Sequence, residues 1–67
     1  MIAVKVNGRR VDLDGPIALL TYLEKLGVSS RAVAVELNGE ILERPAYANA
    51  MLSDGDVVEI VRMVGGG

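Results

Sequence analysis

The chain has 67 residues, nine acidic against seven basic side chains, a formal net charge of −2 and no Cys, His, Trp or Phe. That inventory excludes disulfide staples, thiolate and imidazole catalysis and the usual zinc and iron–sulfur ligand sets, and it offers no basic face to nucleic acid. A hydrophobic content of 51% argues for a globular fold, yet a chain this short buries only about 60% of its unfolded surface and has no room for a walled catalytic cleft.

Ile2, Val4 and Val6 alternate with Ala3 and Lys5, the period of two that marks a half-buried strand. Asn7-Gly8 is a strong hairpin signal, because a type I′ turn needs positive φ at both central residues. Arg9 to Leu13 reads as the returning strand, and Asp14-Gly15-Pro16 breaks it. Ile17 to Leu26 is predicted to be the main helix, with Leu19, Leu23 and Leu26 on its buried face and Gly27 as a left-handed C-terminal residue. Ala18 stands where a capping Ser, Thr or Asp is expected, which leaves the helix start to fray or to be capped by Asp14. Val33 to Leu37 is a third strand, Asn38-Gly39 repeats the hairpin signal, and Ile41-Leu42 returns. Arg44-Pro45 stops that strand, since Pro cannot donate to a ladder. Ala46 to Leu52 suggests a short helical turn carrying Tyr47, Met51 and Leu52, Ser53 to Asp56 a turn, and Val57 to Val64 a last strand. With Tyr22 and Tyr47 as the only aromatic residues, the core is expected to be aliphatic.

These elements give an α+β domain, a mixed sheet of four to five strands packed on one main helix. The last strand can lie at an edge or between the first and third strands; the second choice, parallel to the first strand, is the β-grasp or ubiquitin-like architecture. Periodicity leaves both orders open. Residues 1–64 are expected to form this domain, and Gly65, Gly66 and Gly67 a flexible tail. Met63 to Gly67, fully extended, reaches at most about 17 Å, enough to thread from a docked domain into a partner's buried pocket. Glycine has no Cβ to obstruct such an entry. No signal-peptide pattern precedes Lys5, and apolar runs such as Ile17 to Leu20 are too short to span a bilayer, so a cytoplasmic monomer without membrane contact is expected. Asp54-Gly55-Asp56 lacks the rest of a calcium loop and reads as a turn.

Val6-Asn7-Gly8, Leu23-Glu24-Lys25-Leu26-Gly27-Val28, Val35-Glu36-Leu37-Asn38-Gly39-Glu40-Ile41, Arg44-Pro45, Asp54-Gly55-Asp56-Val57-Val58-Glu59-Ile60-Val61 and the terminal Gly66-Gly67 stand in an order and spacing that resembles the sulfur carriers of thiamine biosynthesis, small ubiquitin-like proteins. The resemblance covers the whole chain. Ala18 departs from the Thr often found at the helix start, Tyr47 lies near a position commonly Trp, and Gly65 extends the usual glycine pair.

The resemblance implies a carrier that is no enzyme and binds no cofactor. An ATP-dependent adenylating enzyme would activate the carboxylate of Gly67, with Gly65 and Gly66 providing access. Sulfur from a cysteine desulfurase persulfide, direct or relayed, would turn the terminus into a thiocarboxylate, and thiazole synthase would accept that sulfur. If Val58 and Ile60 face the helix, Val61 and Met63 face outward, and with Val64 they form an apolar docking patch ahead of the tail. Two alternatives remain at this point: a sulfur carrier for molybdopterin or another sulfur-transfer pathway, and a non-covalent β-grasp interaction module.

Overall fold

The computed structural model describes residues 1–64; the expected tail, Gly65 to Gly67, lies outside the described residues. β1 (Ile2–Val6) and β2 (Arg9–Leu13) form the first hairpin, in register from Val6 opposite Arg9 to Ile2 opposite Leu13. Its turn holds Asn7 and Gly8 at φ of 50° and 84°, as the Asn-Gly signal requires.

The predicted helix begins two residues late. Ile17–Ala18 is a short strand, β3, and α1 runs from Leu19 to Leu26. β3 pairs antiparallel with β6 (Met51–Leu52), Ile17 opposite Leu52, so contacts distant in sequence override the helical pattern there. Asp14 does not cap the helix. No side chain does, and the Leu19 N–H instead donates to the Ala50 carbonyl at 2.9 Å. Gly27 closes the helix in the left-handed region at φ 75°. Leu19, Tyr22 and Leu23 are its buried residues, whereas Leu26, predicted on the same face, is 47% exposed. Residues three and four apart share a stripe, but Leu26 sits at the end of an eight-residue helix, in its last turn.

A 3₁₀ turn at Ser30–Ala32 leads into β4 (Val33–Leu37), which pairs with β5 (Glu40–Ile41). The helical turn predicted over Ala46 to Leu52 is a 3₁₀ segment at Arg44–Asn49, with Pro45 near its start, followed by β6. The last strand, β7 (Val57–Arg62), ends two residues before the predicted Val64 because β4 offers partners only from Val33, opposite Arg62.

The five-stranded sheet has the order β2-β1-β7-β4-β5, with β7 parallel to β1 and antiparallel to β4. Of the two orders left open by periodicity, the central one is adopted, and the sheet with its one main helix is the β-grasp. Val4, Val33, Val35 and Val58 from the sheet meet Leu19, Tyr22 and Leu23 from the helix, with Tyr47 and Leu52 closing the core. The core is therefore not purely aliphatic: both tyrosines lie in it, and Met51 and Met63 remain exposed. Tyr47 earns its place with its hydroxyl, which accepts from the Val35 N–H and donates to the Val33 carbonyl, each at 3.1 Å.

Candidate functional site

β7 is the last strand in sequence and the middle strand of the sheet, paired with β1 at Val57 and Val58 and with β4 from Val58 to Arg62. Val58 and Ile60 pack toward the helix. By the pleat of a strand, Val57, Glu59 and Val61 stand on the opposite, open face. Val61 is 59% exposed on this face, and Met63 and Val64, which follow the last residue of β7, are 47% and 93% exposed.

Cross-strand register completes this face. Val61 lies opposite Ala34, and Glu59 opposite Glu36, which in turn lies opposite Ile41. Ile41 is 77% exposed and was not singled out by its sequence. A shallow groove of about 280 Å³ runs here, lined by Ala34, Glu36, Ile41, Glu59 and Val61 among others. Glu36 and Glu59 put two like charges on neighbouring strands, an arrangement that costs stability when unpaired. Among the described residues neither takes part in a salt bridge; the one such bridge joins Arg10 and Asp12 across 3.0 Å on β2, at the other edge of the sheet. The face is thus an apolar patch with an acidic strip through it.

The backbone of β7 is fastened by main-chain and side-chain groups on both its β1 and its β4 sides. The Lys5 N–H donates to the Asp56 carbonyl and the Asn7 N–H to the Val58 carbonyl, both at 2.9 Å, on the β1 side. On the β4 side the Asn38 N–H donates to the Val57 carbonyl at 2.7 Å and the Met63 N–H donates to the Ala32 carbonyl at 2.8 Å. The side chains of both turn asparagines join in. Asn7 Oδ1 accepts from the Ile60 N–H at 2.7 Å while its Nδ2 donates to the Ile60 carbonyl at 3.1 Å. Asn38 Oδ1 accepts from the Val57 N–H at 2.8 Å and its Nδ2 donates to Asp56 at 3.0 Å. The Asn-Gly signals gave the turns; these second contacts, to residues far along the chain, carried no local signal.

Chemistry by the domain itself finds little to work with. Among the described residues no group of three or more acidic side chains could hold a metal ion. The carboxyl groups of Asp54 and Asp56 are spent on the fold, accepting from the Ala3 and Ser53 N–H groups at 2.8 Å each. Burial pushes the Tyr22 phenol above its ordinary range, which keeps it neutral. No helix among the described residues is long and apolar enough to cross a membrane. Gly65, Gly66 and Gly67, the predicted access and reaction positions, lie outside the described residues.

Comparison with known proteins gives one consistent result. The model of the ThiS family matches residues 4–67. The chain is 45% identical over 65 residues to the sulfur carrier protein ThiS of Bacillus subtilis, which covers 96% of this chain and 98% of that protein. It is 42% identical over 62 residues to a thiazole synthase of Paramagnetospirillum magneticum, covering 92% of this chain but spanning only 19% of that relative's length. The crystal structure of a thiamine biosynthesis protein (ThiS) from Geobacter metallireducens superposes with a TM-score of 0.83 at 39% identity, over 98% of this chain and 100% of that one.

Proposed function

The chain belongs to the ThiS family, sulfur carriers of thiamine biosynthesis, and from that premise we propose that Gly67 carries the sulfur as a C-terminal thiocarboxylate. A carboxylate is inert toward nucleophiles at neutral pH. In an adenylating partner its oxygen attacks the α-phosphorus of ATP, a P–O bond forms, and pyrophosphate leaves. The resulting mixed anhydride is open to attack at the acyl carbon. A persulfide sulfur from a cysteine desulfurase, direct or relayed, displaces AMP and leaves an acyl disulfide. A second thiol then attacks the sulfur beyond the acyl sulfur, forming a disulfide and freeing the thiocarboxylate. That soft, anionic sulfur nucleophile is delivered to thiazole synthase without release of sulfide.

The observation that supports this reading most is the exposure of Val61 on the outer face of β7 and of Met63 and Val64 just after it, followed in sequence by Gly65, Gly66 and Gly67. Apolar contact there supplies binding, and the acidic pair Glu36 and Glu59 selects a partner with basic groups opposite it. A thiazole synthase that contains a segment similar to this chain supports thiazole synthase as the sulfur acceptor. The test is intact-protein mass spectrometry after incubation with the activating enzyme, ATP and a persulfide donor. The expected product gains the mass difference of one sulfur for one oxygen at Gly67. A protein that stays unmodified while the enzyme turns over its own carrier rules the reading out.

A further inference from the structure

We propose that Asn7 is a positioning residue for the reaction at Gly67, acting through the backbone of Ile60; this rests on the carrier reading above. β1 supplies backbone partners to β7 only as far as the Asn7 N–H on the Val58 carbonyl, and then the chain turns away into the hairpin. The next β7 residue to face that side is Ile60. Its N–H and its carbonyl are both taken by one carboxamide, at 2.7 Å and 3.1 Å. A carboxamide is the side-chain equivalent of a peptide group, so Asn7 adds one rung to the β1–β7 ladder beyond the point where β1 ends.

The turn alone does not demand this residue. Gly or Asp serves the positive φ of 50° equally well, but Gly has neither hydrogen-bonding group and Asp lacks the donor. Asn38 provides the comparison within the molecule. It occupies the same turn position at φ 51°, yet its side chain fastens Val57, where β7 begins. Asn7 fastens the end of β7 from which the chain continues to Gly67. Without it, residues beyond Val58 are held from the β4 side alone. The docking face survives, because the β4–β7 register runs to Arg62, but the direction in which the chain leaves the body is less defined. Chemistry on a carboxylate that must be delivered into a partner's site is sensitive to that placement.

The test compares Asn7→Gly, Asn7→Asp and Asn38→Gly with the parent chain in steady-state activation by the ATP-dependent adenylating enzyme, read as pyrophosphate release. All assays run well below each variant's unfolding temperature. Asn7→Gly is expected to lower kcat about tenfold with KM within about threefold. Asn38→Gly is expected to leave both within about twofold. Asn7→Asp, which keeps the acceptor for the Ile60 N–H, is expected to fall between. Amide exchange on the free protein is expected to accelerate about tenfold or more at Ile60 in Asn7→Gly. An unchanged kcat in Asn7→Gly, or an equal fall in Asn38→Gly, reduces Asn7 to a purely structural residue and overturns the proposal. If the parent chain itself is not activated, the carrier reading fails first and the positioning role with it.

Discussion

Replacing Tyr47 with Phe isolates one oxygen atom whose work the structure defines. β5 is two residues long and covers β4 only at Glu36 and Leu37, with the Leu42 N–H donating to the Val35 carbonyl at 2.9 Å just past it. Beyond that point the Val35 N–H and the Val33 carbonyl face no strand. Both residues are 1% exposed, so water does not reach them, and the Tyr47 hydroxyl serves both. Phe keeps the ring and its packing while leaving a buried donor and a buried acceptor without partners. An unpaired buried N–H costs about 1–3 kcal/mol and the carbonyl less, so the pair is expected to cost about 2–4 kcal/mol. A domain of this length has a total stability of about 3–10 kcal/mol. The melting temperature is then expected to drop by about 10–25 °C. Urea unfolding followed by far-UV circular dichroism reads this directly, with an unchanged m-value showing that the same surface is exposed. Tyr22→Phe is the control, because among the described residues its hydroxyl makes no hydrogen bond, and it is expected to stay within about 0.5 kcal/mol. A Tyr47→Phe cost as small as that of the control would refute the argument that this hydroxyl completes the edge of β4.

Three further outcomes are expected. Deleting Gly66 and Gly67 abolishes adenylation and leaves the urea midpoint unchanged; a fall in the midpoint would mean that these glycines belong to the folded body. Val61→Asp, at an exposed strand position beside Glu59 and Glu36, costs about 1 kcal/mol of stability through poorer strand propensity and like-charge crowding, yet it raises KM for the adenylating enzyme about tenfold by setting a carboxylate without a partner into an apolar contact; an unaltered KM removes this face from the docking surface. For Tyr22, burial favours the neutral phenol in the folded state, so the stability it contributes is complete below the unfolded phenol value near pH 10 and is lost as pH climbs through the raised folded value. Urea midpoints of the parent chain and Tyr22→Phe are therefore expected to run parallel at neutral pH and to separate in favour of Phe above about pH 10; parallel behaviour throughout would mean that the phenol is not desolvated.

The alternation of β7 was legible because a strand has a period of two: once Val58 faces the helix, Val61 and Met63 face away. The two Asn-Gly turns were legible for an equally local reason, since few residues accept positive φ. What stayed hidden depends on partners far along the chain. Ile17 and Ala18 carry a pattern that suits a helix, and only their pairing with Leu52 and Met51 makes them a strand. The central position of β7 follows from its fit between β1 and β4, which periodicity cannot encode. Ile41 stands in the expected short returning strand; its place on the open face beside Glu36 comes from its register. Tyr47 stood on an expected helical turn beside an expected aliphatic core, because its sequence neighbours do not reveal the unpaired edge of β4.

The strand order also ties folding to presentation. β7 closes the sheet by joining β1, with Val6 opposite Val58, to β4, with Val33 opposite Arg62. Pairings of such long sequence separation carry a large closure cost and form only when the rest of the chain is in place. The same rungs that complete the core therefore fix where the chain departs toward Gly67. A partner that recognises the outer face of β7 meets it only in the folded domain, because Val61 and Glu59 share a surface with Ala34, Glu36 and Ile41 only when β7 lies beside β4. In the proposed mechanism recognition of the carrier is thus a test of its fold, and a glycine-ended segment detached from the body is expected to be a poor substrate for the adenylating enzyme, because it offers the carboxylate without the proposed docking surface.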